Sequence, residues 1–300
     1  MRDAEHSRRL AFLFAFLATF IYGLSFTIAK QVMPLYVQPF GFIFLRVSGA
    51  TLLFWSLGLF VRKESIATRD FLRLLLGAIF GIALNQLTFF KGLSMTTPIS
   101  ASVIMVSSPI LVLIFSTILI REKVTWKKIA GILIGLLGAV ALIVFGKGLD
   151  TASNATLGNL LVFVNAASYS LYLILIKDLT GRYHPVTLAK WLYLFGWFLV
   201  TPFGLSEFRD IAWDTLPVTA MLSIAFIVVC TSFLTYLLNL YAIRKLKPTT
   251  LSIFIYLQPV IATSFALVMG SDTLNLLKIL ATGLIFTGVY LVTSRKGEEA

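Results

Sequence analysis

The amino-acid sequence predicts an all-α polytopic membrane protein of ten transmembrane helices, arranged as two inverted five-helix repeats around a central cavity. Three observations lead there. The 300 residues are 58% hydrophobic and only 13% charged, whereas a soluble domain carries about a quarter charged residues. Apolar stretches of the roughly 20 residues needed to cross a ~30 Å hydrocarbon core recur along nearly the whole chain, leaving no separate soluble domain. These runs are too long, and alternate too little, for strands. The third observation is an ordered internal repetition, taken up below.

The spans run roughly 10–32, 39–61, 71–93, 97–120, 126–146, 156–177, 185–205, 216–240, 248–270 and 274–294. The first follows Arg8 and Arg9, and without a clean small-residue cleavage site it reads as an uncleaved span. "MPLYVQP" ends it and sets Pro39 at the start of the second. "RKESIATRD" precedes the third, and Pro98 opens the fourth. "REKVTWKK" is the tight turn into the fifth, which carries Gly131, Gly135 and Gly138 in "GILIGLLG". "GKGLDTASNAT", "GRYHP", "LKP" and "GSDT" punctuate the second half. Glycines at this spacing let helices approach closely; packing within a monomer is the preferred use and a homodimer seam the alternative.

A net charge of +12 raises nucleic acid as a partner. With ten spans both termini share one side, and 18 of the 25 Lys and Arg residues fall there, among them Arg62, Lys63, Arg69, Arg73, Arg121, Lys123, Lys127, Lys128 and Arg182. Five fall on the other side, and Arg46 and Lys190 lie inside spans. This bias places the termini in the cytoplasm and makes the basic character a sign of orientation. No nucleic-acid partner is expected; the partners are a lipid bilayer and a small-molecule substrate. Cys230 is the single cysteine, so no intramolecular disulfide forms.

The halves repeat. "YGLSFTIAK" (22–30) aligns with "YSLYLILIK" (169–177), and Pro39 corresponds to Pro185. Pro98, Pro109, Glu122 and Gly138 match Pro248, Pro259, Asp272 and Gly288, each at a shift of 150. The units are 10–146 and 156–294. Five spans is an odd number, so the second copy enters the membrane upside down. Inverted repeats around a midplane site are a frequent plan of secondary transporters; a duplicated membrane protein without transport is the plainer alternative.

These features resemble the EamA domains of the drug/metabolite transporter superfamily. The resemblance rests on the "YG…S…F…K" first span, an arginine in the second span after a proline, and "A-S-V-I…S-P…E" from 101 to 122. It covers about residues 10–294. It implies a helical bundle with a central cavity, a bacterial inner-membrane location, and export of small metabolites such as amino acids. Sugar-phosphate and nucleotide-sugar carriers share the superfamily, so the fold does not name a substrate.

Arg46 is the residue that most needs explaining. It sits in "FGFIFLRVSGATLLFW", seven residues past Pro39 and so about 10 Å below the membrane boundary. A charge at such depth costs at least ~2.5–3.5 kcal/mol on insertion scales. It either reaches carbonyls and headgroups or lines the cavity and meets an anionic group of the substrate. Lys190 is its approximate counterpart, five residues past Pro185, with snorkelling the stronger reading there. Lys30 and Lys177, at span ends, are expected to anchor at headgroups.

Uncharged polar groups complete the predicted cavity: Asn85 and Gln86 in the third span, Gln258 before Pro259, and Ser108 (with Ser107) before Pro109. Asn165, Ser168 and Tyr169 share one face of the sixth span, and Tyr22 is the matching aromatic of the first. Each alone is ordinarily an interhelical hydrogen bond. Pro109 and Pro259 each free a carbonyl upstream, so kinks are expected there.

None of the 13 carboxylates lies deep in a span, and Glu122 and Asp272 sit at helix ends. This disfavours antiport of cationic drugs, which commonly exchanges drug for proton on a buried acid. No Walker loop, HExxH or Cys/His metal pattern occurs, so no cofactor is expected, nor an enzyme. The sequence therefore points to a carrier of a carboxylate-bearing solute by alternating access. A cation or drug exporter and a channel-like permease of the same superfamily are the alternatives.

Overall fold

A computed structural model describes residues 2–61, 63–120, 125–145, 154–246, 254–255 and 257–293. Among them the structure is helical and without strands. The helices are α1 (Arg2–Val32), α2 (Pro39–Gly58), α3 (Thr68–Met95), α4 (Pro98–Leu119), α5 (Trp126–Phe145), α6 (Ala155–Arg182), α7 (Pro185–Arg209), α8 (Val218–Lys245), α9 (Leu257–Val268) and α10 (Leu276–Thr293). The apolar span within α1, together with α2, α3, α4, α6, α7 and α8, gives seven helices long and apolar enough to cross a bilayer; α9 and α10 include shorter apolar stretches. Glu122 and Pro248 lie outside the described residues.

Prolines set several helix starts. Pro39, Pro98 and Pro185 each stand in the first turn of their helix, where the missing N–H has no intrahelical partner to lose. Of the remaining donors, Ser100 N and Val186 N are met by the capping side chains of Thr97 and His184, and others are met from across the bundle. Glu207 at the end of α7 accepts from the backbone of Phe40 and Gly41 at 2.7 and 2.9 Å. Asp272, just past α9, accepts from Ile99 N at 3.0 Å and pairs with Lys278 at 2.8 Å. Glu64 accepts from His184 N at 2.9 Å, at the start of α7. A carboxylate at a helix N-terminus is stabilised by the helix dipole. Each of these contacts also ties sequence-distant segments together.

Lys30 departs from the headgroup anchor expected of it. Its ammonium donates to the carbonyls of Leu93 and Ser94 at 2.9 and 2.7 Å, closing the C-terminus of α3.

The most extensive pairings are α3 with α6, α5 with α10, α2 with α7, and α1 with α8. α4 also packs on α6, and α1 on α9. α2 and α7 run antiparallel, since the start of α2 meets Glu207 while Trp55 Nε1 near its end donates to the Lys190 carbonyl at 3.2 Å. α5 and α10 are antiparallel too: Gly135 faces Gly288, and Gly138 faces Ala281, Leu284 and Ile285. The glycines of the fifth span thus close a contact within the chain.

Three helices depart from regular α geometry. α3 contains a π-helical turn, Ile79–Ala83, and α8 a longer one, Ile227–Leu234. α4 breaks after Met105 and resumes at Ser108, where the kink at Pro109 was expected. Hydroxyls meet the carbonyls around the break: Ser107 Oγ donates to Ile104 O, Ser108 Oγ to Met105 O, and Ser170 Oγ of α6 to Ser108 O.

Candidate binding site

α2 carries Arg46 into the middle of the bundle, where it is only 6% exposed. Its Nε donates to Ser232 Oγ of α8 at 2.8 Å. The guanidinium carbon lies 4.5 Å over the ring centroid of Phe90 on α3, so one face of the cation rests on an aromatic. Tyr193 of α7 and Tyr22 of α1 stand beside it. No ion pair to Arg46 occurs among the described residues, and its two terminal nitrogens have no hydrogen-bond partner among them. A buried guanidinium that is not satisfied by protein has to be met by water or by a ligand.

The π-helical turn of α8 positions the arginine's partner. The wider turn lets Ser232 Oγ reach its own helix at Ile227 O, five residues back, at 2.8 Å, while it accepts from Arg46. Tyr193 Oη donates its single hydrogen to the Ser232 carbonyl at 3.0 Å. The Gln86 side chain lies beside the Tyr193 hydroxyl. Its Oε1 is buried without a partner. Arg46, Ser232 and Tyr193 form one connected polar chain across α2, α8 and α7, with Gln86 of α3 next to it.

A second group lies along α3 and α6. Asn165 Nδ2 donates to Asn85 O at 2.7 Å, Asn85 Nδ2 returns a longer bond to Asn165 O, and Ser168 Oγ donates to Phe80 O in the π-helical turn of α3. Asn165 Oδ1 is buried and unpartnered, like Gln86 Oε1. Each unmet buried acceptor costs on the order of 1–3 kcal/mol. The interior thus holds donors lacking acceptors and acceptors lacking donors, as expected of a site built for a polar solute.

Tyrosines line the same interior. Tyr22 lies beside the side chain of Asn239 on α8. Tyr236 Oη donates to Tyr172 Oη at 2.6 Å, Tyr169 stacks obliquely 6.0 Å from Tyr172, and Tyr236 meets Tyr193 edge-on at 5.0 Å. Gln258 is 8% exposed on α9, and its backbone packs beside Gly23, next to Tyr22.

Of the residues singled out from sequence, Arg46, Gln86 and Tyr22 belong to one neighbourhood, with Tyr169 close to Tyr22. Asn85 and Asn165 pair with each other. Ser108 is fully buried, and its hydroxyl is engaged in the α4 break. Lys190 stands apart: its ammonium lies 4.8 Å from the centroid of the Trp55 ring, about 13 Å along α2 from Arg46. Ser232, Tyr193, Phe90, Asn239, Tyr172 and Tyr236 were not anticipated. The polar aromatics Tyr193 and Tyr236 inside apolar runs were the available signal; Ser232 offers none, because a lone serine in a span is ordinary.

A multi-pass helical membrane protein with an unsatisfied polar interior belongs, as a class, among membrane transporters. The comparisons agree and go further: the EamA-like transporter family matches residues 9–144 and again 156–294, and the chain belongs to that family. It is 27% identical to an uncharacterized transporter of Archaeoglobus fulgidus, over 92% of this chain and 95% of that one. It is 24% identical to the S-adenosylmethionine/S-adenosylhomocysteine transporter of Chlamydia muridarum, over 94% and 91%. A solved structure titled "Crystal structure of protein" shares the fold at a TM-score of 0.65 and 21% identity, covering 95% of this chain and 97% of that one.

Proposed function

We propose that this transporter is a secondary carrier that moves a small carboxylate-bearing metabolite, an amino acid foremost, outward across a bacterial inner membrane by alternating access. Arg46 holds the carboxylate, while Gln86, Asn85, Gln258 and the tyrosines shape the pocket. The observation that carries this reading is the buried guanidinium with no acid opposite it among the described residues. A carboxylate supplies two parallel acceptors to such a fork. The named solutes of the Chlamydia muridarum relative each carry an α-carboxylate, which favours the same chemistry.

The mechanism needs ten passes and two inverted units, 10–146 and 156–294. Exchanging α1 with α6, α2 with α7, α3 with α8, α4 with α9 and α5 with α10 turns the α3–α6 pairing into α8–α1 and the α4–α6 pairing into α9–α1, while α2–α7 and α5–α10 map onto themselves. All these pairings occur, both self-mapped pairs are antiparallel, and the π-helical turns fall in the exchanged helices α3 and α8. The weight of Lys and Arg in one set of loops supports cytoplasmic termini.

Flux in proteoliposomes tests the site. For amino acids and other carboxylates that the wild type moves, Arg46→Ala is expected to lower flux about 100-fold, the loss of roughly two charge-assisted hydrogen bonds, and Arg46→Lys to be intermediate because the fork is gone. Unchanged flux in Arg46→Ala removes Arg46 from the site. Preference for organic cations instead supports a drug exporter. Counterflow separates carrier from channel-like permease: unlabelled solute on the far side accelerates labelled entry only through a carrier.

A further inference from the structure

A second charged feature lies away from the central site, at the start of α3 and the end of α6. A cavity of about 360 Å³ is lined by Arg69, Asp70, Arg73 and Arg182. Arg69 and Arg73, four residues apart, share one face of α3. Asp70 hydrogen-bonds neither of them, though Arg69 is within its electrostatic reach. Its carboxylate is taken by Arg182 Nη1, at 3.0 and 2.8 Å, and by Tyr183 Oη at 2.8 Å, and it is 2% exposed. Tyr183 Oη in turn accepts from Ala67 N, fixing the start of α3 to the end of α6. Arg73 approaches Asp178 at 3.5 Å, but both side chains are largely in solvent, so this pair competes weakly for the guanidinium. The cavity wall is therefore cationic in excess and mechanically fixed.

We propose that this cavity binds the phosphate of an anionic phospholipid. The forked guanidiniums of Arg69 and Arg73 suit phosphate oxygens, with Arg182 held beside them by Asp70. The surroundings favour lipid as the source. Phe71 packs edge-on against Trp191 at 5.3 Å, and Trp191 against Trp55 at 5.7 Å, forming an aromatic cluster of the kind that marks the headgroup level. Leu72 and Leu75, on the same turns of α3, are 65% and 38% exposed and offer an apolar surface for acyl chains. The cavity is built from helix ends of the Lys- and Arg-rich side, where anionic headgroups attract basic residues.

Native mass spectrometry of the delipidated full-length protein tests this, with dioleoyl phosphatidylglycerol as probe and dioleoyl phosphatidylcholine as its uncharged counterpart. The wild type is expected to retain one phosphatidylglycerol more tightly than any phosphatidylcholine. Arg69→Gln/Arg73→Gln is expected to weaken that binding about 30-fold, from two lost surface cations, while Lys127→Gln/Lys128→Gln, at the start of α5, leaves it unchanged. Both arginines are exposed, and size-exclusion profiles verify the fold; the single Arg69→Gln variant, weakened in part, provides an independent reading. Equal retention of the two lipids, equal binding by the arginine variant, or equal loss in the lysine variant overturns the proposal. Displacement of the lipid by millimolar inorganic phosphate assigns the cavity to free phosphate and likewise overturns it.

Discussion

The α5–α10 seam and the α2–α7 seam are both antiparallel contacts, yet they are held by opposite means. Along α5–α10 two backbones meet with almost nothing between them. A β-carbon at Gly288 would lie 2.5 Å from the Gly135 nitrogen and 2.6 Å from the Gly131 carbonyl oxygen. Along α2–α7 the contact is cross-linked by polar side chains: Trp197 Nε1 donates to Ser48 Oγ at 2.9 Å and Thr51 Oγ1 to the Tyr193 carbonyl at 3.2 Å, with Arg46 on α2 near Tyr193. In a membrane, where water does not drive helices together, close backbone packing supplies dispersion, and polar side chains supply hydrogen bonds. Under the proposed function the first seam is support and the second faces the solute, so changes in the first should move stability and changes in the second should move flux.

The largest effect is expected from the tighter seam. Gly288→Ala has to push α10 off α5 against backbone, which does not yield as a side-chain tip does; the cost is about 1–3 kcal/mol. Gly288→Leu is expected to abolish the monodisperse protein. Thermal unfolding in detergent measures the first and size-exclusion the second. Flux per folded molecule should stay at the wild-type value in the alanine variant, and a selective loss of flux there would break the division between seams.

A smaller change sharpens the other side. Ser232→Ala removes the acceptor of Arg46 Nε and leaves the guanidinium free to turn away from its working direction. Flux is expected to fall about tenfold, equivalent to roughly 1.4 kcal/mol, with a shift in unfolding temperature below that of Gly288→Ala. If stability falls and flux per folded molecule does not, Arg46 is a structural cation and its hydrogen bond belongs to packing.

Much of this division was legible in the sequence. Pro39 and Pro98 marked helix starts because proline restricts backbone geometry locally. Gly131, Gly135 and Gly138 marked a close seam because only small residues allow it, while its partner Gly288 stood out only as the repeat counterpart of Gly138. Arg46 stood out because a cation in an apolar run is costly wherever the chain goes. What stayed hidden depends on tertiary partners. Glu207 reads as an ordinary loop-proximal acid until the start of α2 arrives beside it, and Lys30 as a headgroup anchor until the end of α3 does. The π-helical turns were equally hidden, since one extra residue in a turn leaves composition and hydropathy unchanged. That turn is what brings Ser232 to Arg46, so the arginine was legible and its partner was not.

The smallest expected effect concerns the two hydroxyls joining α6 and α8, Tyr172 and Tyr236, whose oxygens are 2.6 Å apart. Both residues are buried, at 3% and 9% exposure, so neither hydroxyl has bulk water to turn to. Tyr236→Phe removes the donor and leaves Tyr172 Oη facing a ring, at a cost of about 1 kcal/mol. Tyr172→Phe/Tyr236→Phe removes both groups while keeping both rings, and replacing both partners of a buried hydrogen bond by apolar groups of the same shape can be nearly neutral. The double variant should therefore unfold closer to the wild type than the Tyr236→Phe single does. Flux separates two roles for this pair. If the hydroxyls serve only each other, the double variant recovers flux along with stability; if one also meets the solute, stability returns and flux does not.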